Sequence, residues 1–290
     1  MSAQANTLVR TKPRKPMSRT LAMASVSIVL TIVALATIYP LIFIGLVAFM
    51  TPADYLDNPL QLPPHPSLGS LLKVWGTADF GVYVLNSFLV VTCAVALLVV
   101  LATLAGFAFA HLKFPGLRAS FLVSLGLMVL PPSLFMVSTF KIVVDLGLLN
   151  NYLGLILVYT SLQLPFGIFM MWTFFQAVPE ELIDAAQLDG ASLFRTFRSI
   201  VLPLAGPAVL TLVTLTFLTL WNDLLFSMII LQDPEKRTII VGLSLLRGNI
   251  GINSDTVAAA GMLVSVIPPM LLFVLFNRQI VSGLTVGAGK

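Results

Sequence analysis

Five stretches of this chain contain no charged residue at all: Arg19 to Asp54, Asp79 to Lys113, Arg118 to Lys141, Asp145 to Glu180, and Asp255 to Arg278. A sixth, from Arg198 to Asp233, is interrupted only by Asp223. Each can supply the roughly 20 apolar residues that cross a bilayer core. Lipid offers no partner to a bare backbone, so each run must close its hydrogen bonds internally, as a helix. The runs therefore predict an all-α, polytopic membrane protein with about six transmembrane helices. These are expected near residues 22–50, 83–110, 119–138, 152–175, 204–230 and 257–276. With 10% charged residues, against about 25% in soluble domains, the chain has too few charges for a surface that faces water everywhere. The first run starts basic (Arg14, Lys15, Arg19) and contains Ala34-Leu35-Ala36, which mimics a signal-peptide cleavage box. Its apolar stretch continues to Met50, however, so an uncleaved anchor is expected.

Basic residues set the orientation. The N-terminal arm, residues 1–20, carries Arg10, Lys12, Arg14, Lys15 and Arg19. The 2–3 loop adds Lys113 and Arg118, the 4–5 loop Arg195 and Arg198, and the C-terminus Arg278 and Lys290. That side holds eleven, whereas Lys73, Lys141, Lys236, Arg237 and Arg247 leave five for the other. The positive-inside rule predicts that both termini are cytoplasmic. Residues 21–290 form the membrane domain in this reading, after a basic arm. The proline-rich segment 51–82 is expected to be an outer cap without regular structure. Pro131-Pro132 should break the third span and send Ser133–Leu149 out as a short outer helix, while Pro165 and Pro268-Pro269 predict kinks or breaks. The stretch 232–256 is expected to be a long outer loop.

The loop 176–203 differs from the rest. It carries four acids (Glu180, Glu181, Asp184, Asp189) against two arginines, although it falls on the basic side. It is expected to form helix, turn, helix. Pro179 suits a first-turn position, and Glu180 and Glu181 suit the positive end of a helix dipole. Gly190 can take the left-handed conformation that ends a helix, and Ser192 caps the next one. Leu193, Phe194, Phe197, Ile200 and Val201 give that second helix an apolar face. The first helix presents Leu182, Ala185 and Ala186, a face too small to make a core. Small residues beside acids suit docking into a groove with basic groups. A solvated amphipathic linker is the alternative.

The residues Asp184-Ala185-Ala186, then Asp189-Gly190-Ala191, then Ile200-Val201-Leu202-Pro203, resemble the "EAA" loop of ABC importer permeases. Further pieces resemble the carbohydrate-uptake branch, of the maltose-type second-subunit kind: Asn86-Ser87, Lys113-Phe114-Pro115-Gly116, Trp221-Asn222-Asp223 and Gly283-Leu284-Thr285. One departure is Asp184, where the pattern has glutamate; the charge is kept on a shorter side chain. The resemblance implies a type I ABC importer permease fold in the inner membrane of a prokaryote. It implies a heterodimer with a second permease subunit, two ATPase subunits and an extracellular solute-binding protein. Glu181, Asp184, Ala185, Ala186, Asp189 and Gly190 would then meet the ATPase. ATP would be bound by that partner, so this chain is expected to carry no cofactor and to be no enzyme, and nucleic acid has no part. The solute implied is a sugar or oligosaccharide; a polyamine or phosphate ester is the alternative within the class.

Other chemistry is sparse. Gly289-Lys290 ends the chain and cannot open a helix as a phosphate loop. His65 and His111 fall on opposite sides of the membrane and cannot pair, and Cys93 lies alone in an apolar run. An ion-coupled carrier would want several buried acids, and only Asp223 qualifies. Asp223 is either an interfacial residue that caps or pairs with a neighbour, or part of an outer solute path with Trp221 and Asn222. Asn86 is likewise either a helix cap or a path residue.

Overall fold

A computed structural model describes residues 17–77, 80–249 and 254–288. Among them the regular elements are all helical. The chain opens with α1 (Met17–Ala48), then two short helices, α2 (Pro52–Asp57) and α3 (Gly69–Thr77). Next come α4 (Phe80–His111) and α5 (Leu117–Val129), a 3-10 turn Pro132–Phe135, α6 (Met136–Asp145) and α7 (Tyr152–Phe175). After α8 (Glu180–Leu188) follow α9 (Leu193–Thr196), a π-helical turn Phe197–Val201, and α10 (Leu202–Leu204). The remainder is α11 (Gly206–Trp221), α12 (Leu225–Ile230), a 3-10 turn Pro234–Lys236, α13 (Ile239–Asn249) and α14 (Ser254–Ala288). Among the described residues four helices are long and apolar enough to cross a bilayer, and the number reaches six if each of two bent pairs is one span.

The first bent pair is α5 with Pro132–Asp145, turned by 101°. Its cause is local. A residue before proline is pushed out of the helical region, and both Leu130 (ψ 129°) and Pro131 (ψ 133°) stand before a proline. The break expected at Pro131-Pro132 is there. The second pair, Leu193–Leu204 with α11, turns by 74°. Pro268 and Pro269 do not break the last span: α14 runs through both. Pro165 is accommodated inside α7 in the same way.

Three expectations need correction. The fifth span does not run from 204 to 230 as one helix; α11 stops at Trp221, and α12 starts at Leu225. Asp223 accounts for the restart, because its Oδ2 accepts the Ser227 backbone N–H at 3.0 Å and so satisfies one of the free donors at the start of α12. The proline-rich cap 51–82 contains regular structure, α2 and α3. Thr51 begins α2 by accepting the Asp54 N–H, and Pro52 sits in its first turn. The stretch 232–256 contains α13, so it is mostly folded rather than an open loop.

The core has two parts along the bundle. One gathers Phe107, Met171, Phe175, Phe197, Val201 and Leu212 at the end that carries the 176–203 loop. The other, at the opposite end, includes Phe80, Tyr159, Phe217, Trp221, Ile230 and Ile239. α4 packs along α7 through both. Gly106 and Gly167 make that approach possible: a Cβ on Gly106 would lie 2.7 Å from the Met171 Cβ, and one on Gly167 2.9 Å from the Ala102 Cβ. Small residues at helix contacts let backbones close in where lipid removes the usual hydrophobic drive. By contrast, α1 leans on α14 but leaves residues 25–42 exposed on all sides.

Candidate functional site

The 176–203 loop is a folded element with one anchored and one open side. α8 starts after Pro179, which has extended backbone (φ −58°, ψ 132°), with Glu180 and Glu181 in its first turn. It ends as a Schellman turn. The Ala191 N–H donates to the Ala186 carbonyl, the Gly190 N–H donates to the Gln187 carbonyl, and Gly190 takes φ +80°. Ser192 then caps α9 by accepting the Arg195 N–H. Ile183 joins the core at this end with Val178 and Phe197, and Ala186 is buried one turn on.

The opposite side of α8 carries Glu181, Leu182, Asp184, Ala185, Leu188 and Asp189, all exposed. Leu188 is 88% exposed and Phe194, on the next helix, 64%. The small face expected from Leu182, Ala185 and Ala186 is thus divided, because Ala186 points inward. The face expected for the second helix is divided too: Phe197 and Val201 are buried, while Leu193 and Phe194 stay exposed. A π-helical turn from Phe197 to Val201 interrupts the α period on which that face was drawn. Glu181, Asp184 and Asp189 form no ion pair among the described residues. The open side therefore combines unpaired acids with exposed leucine and phenylalanine side chains, which is the character of a surface built to be covered.

At the other end, the four residues expected along a solute path do not share an exposed surface. Trp221 is 2% exposed; its indole stacks on Phe217 and donates from Nε1 to the Ser265 carbonyl at 3.1 Å, tying α11 to α14. Its ring is used inside the subunit and is not offered to a solute. Asn86 is also buried and is not a helix cap. Its Nδ2 donates to the carbonyls of Glu235 (2.8 Å) and Arg237 (3.0 Å), and its Oδ1 accepts from the Tyr152 hydroxyl (2.8 Å). Asp223 accepts from the Tyr159 hydroxyl at 2.9 Å as well as from Ser227. Only Asn222 of the four is exposed, and its amide donates back to the Leu218 carbonyl.

Sequence reasoning missed Asn150. It adopts φ +55°, a region that asparagine tolerates better than most residues. Its Oδ1 accepts the backbone N–H groups of Gln232 (2.6 Å) and Asp233 (3.0 Å), and its carbonyl accepts from Lys236 Nζ (2.8 Å). With Asn86, and with the Ser87 hydroxyl that accepts the Ile239 N–H, it clamps segment 232–239 onto α4 and the start of α7. The only hint in the sequence was an Asn-Asn pair before an apolar run. Near α2, the Thr51 hydroxyl donates to Asp54 at 2.7 Å, with His65 3.4 Å away. These contacts, Thr51 first, hold the Asp54 carboxyl below its ordinary value.

Residues 99–286 match the family described as the binding-protein-dependent transport system inner membrane component. The chain belongs to this family. It is 31% identical to the diacetylchitobiose uptake system permease protein NgcG of Streptomyces coelicolor, over 86% of this chain and 83% of that one. It is also 31% identical to the trehalose/maltose transport system permease protein MalG of Thermococcus litoralis, over 89% of this chain and 94% of the relative. A chain from the crystal structure of a bacterial ABC transporter involved in the import of the acidic polysaccharide alginate superposes with a TM-score of 0.82. That match covers 92% of this chain and 99% of the other at 22% identity, a likeness of fold. The protein is a multi-pass permease of an ABC importer, and its family assembles with an ATPase and a solute-binding protein.

Proposed function

We propose that this permease is one half of a heterodimer with a second permease subunit, that the complex includes two ATPase subunits and the 176–203 loop docks in a cleft of the ATPase, and that the solute imported is a sugar or oligosaccharide delivered by an extracellular binding protein. The observation that carries the coupling role is the two-sided α8. Ile183 fixes it to the bundle core, so a push on its open side moves spans and not merely a tether, which is the rigid-body coupling that a two-state transporter needs. The sugar reading rests on the relatives, several of which are named for saccharides. In this reading the chain itself hydrolyses nothing and holds no cofactor, ATP being bound by the partner.

The test is reconstitution of the full complex in vesicles with its binding protein. Binding protein loaded with a neutral oligosaccharide should raise ATP hydrolysis and drive uptake. Stimulation only by a polyamine or a phosphate ester would replace the sugar reading. Uptake driven by an ion gradient without ATP would overturn the importer reading altogether.

Orientation follows from the charge division and has its own test. The single native cysteine, Cys93, is exposed and must be replaced first. In a Cys93→Ala background, cysteines at Leu60 and Glu235 should react with an impermeant reagent from outside intact cells, and one at Arg195 should not. All three positions are exposed, so a silent site cannot be put down to burial. Reaction at position 195 from outside would reverse the proposed topology.

A further inference from the structure

The bend at Pro131 swings α6 away from α5 and opens a cavity of about 680 Å³ between these helices, α7 and α11. That is within the ~300–1,000 Å³ typical of small-molecule sites. Its polar lining is Ser138, Thr139, Ser161, Gln163, Thr216 and Thr219, and no charged residue contributes to it. Phe135 and Phe166 supply apolar surface beside them.

Thr216 separates this cavity from a lipid groove. Threonines on the same helix return their hydroxyls to the backbone: Thr214 donates to the Leu210 carbonyl at 2.8 Å and Thr219 to the Leu215 carbonyl at 2.9 Å. Thr216, 1% exposed, does not. Its buried hydroxyl has no hydrogen-bond partner among the described residues. A buried hydroxyl left unpaired lowers stability, and polar side chains within membrane spans turn to the bundle interior or to a water-filled cavity. The half-buried Gln163 carries an amide that can both donate and accept.

We infer that this cavity is a solute-binding station on this subunit for an uncharged, polyhydroxylated compound, with Gln163 and Thr216 as the residues that select it. This rests on the proposed importer function and adds a site and a selectivity to it. Paired donors and acceptors suit solute hydroxyls, and the two phenylalanine rings suit the apolar face of a sugar ring. A charged solute would lose its hydration here with no opposite charge to meet it.

The experiment measures solute moved per ATP hydrolysed by the reconstituted complex, with radiolabelled trehalose and diacetylchitobiose as probes, and the melting temperature of each variant. Gln163→Leu and Thr216→Val keep the side-chain size and remove the hydrogen bonds. Each is expected to lower the solute-to-ATP ratio about 3- to 10-fold, the size of one neutral hydrogen bond. Thr216→Val should at the same time raise the melting temperature, because it removes an unpaired buried hydroxyl. A residue that only packs would give the thermal gain without the transport loss. If both variants move solute at the wild-type ratio, the cavity is not a solute station. If the wild-type complex moves neither probe but moves a charged compound, the sugar reading fails, whereas wild-type transport with unaffected variants fails the cavity alone.

Discussion

Asp184→Lys is expected to leave the permease in the membrane and to abolish ATP-driven uptake. Asp184 is exposed on the open side of α8, one turn before Leu188 and without an ion-pair partner among the described residues. Removing it should therefore cost the isolated subunit nothing. In the complex the reversed charge would face the basic groups of the proposed ATPase groove. Losing one partner of a buried charge pair typically costs about 2–5 kcal/mol, or at least ~30-fold in affinity. Purification of the complex should then recover the two permeases with few or no ATPase subunits. Gly190 adds an internal control. A Cβ there would meet nothing within 4 Å, so only its φ of +80° resists substitution. Gly190→Val bears the full ~1–2 kcal/mol of the left-handed region, whereas Gly190→Asn should be tolerated. A full ATPase complement and normal uptake in both Asp184→Lys and Gly190→Val would reduce the loop to a linker.

Gly106→Val should give a large loss of folded protein. The added Cβ would sit 2.7 Å from the Met171 Cβ, 2.9 Å from the Trp172 backbone nitrogen and 3.1 Å from the Met171 carbonyl carbon. Two of those atoms are backbone and the third is fixed to it, so no rotamer change relieves the clash and α4 has to move off α7. Overpacking of this kind costs about 1–3 kcal/mol and occasionally more. The reference is Gly126→Val, where a Cβ meets nothing within 4 Å but the change in helix propensity is the same. Thermal aggregation of the detergent-solubilised complex should show Gly106→Val well below Gly126→Val. Equal midpoints would mean that α4 and α7 do not pack as described.

Which features could be read from the residues alone depended on where the controlling interaction lies. The spans, the break at Pro131-Pro132, the Gly190 turn and the Ser192 cap are local effects of chain chemistry, and all were legible. The gap at 222–224 was not, because it depends on Asp223 meeting Ser227 and Tyr159, the latter 64 positions away. Helix faces were the hardest to read. In water, an apolar stripe marks the core side of a helix. In α4, α7 and α11 the sides toward lipid and toward the bundle are both apolar, so the pattern could not show that Trp221 faces inward or that the cavity lies beside Gln163. On α8 it is Ile183 that enters the core, and a face drawn through the small residues placed Ala186 on the wrong side.

The bare flank of α1 bears on the order in which the protein is made. Residues 26–42 are exposed along the helix. Thr31 and Thr37 donate their hydroxyls to the Ser27 and Val33 carbonyls of their own helix, so lipid alone is a sufficient environment for them. Among the described spans α1 comes earliest in the chain, and it can thus settle in the bilayer before α4, α7 and α11 exist. It can then serve as a mooring while α4, α7 and α11, which pack on one another, are still being synthesised. Val47, Ala48 and Met50, packed into the core at the far end of α1, are the point where that early anchor is later fastened to the finished bundle.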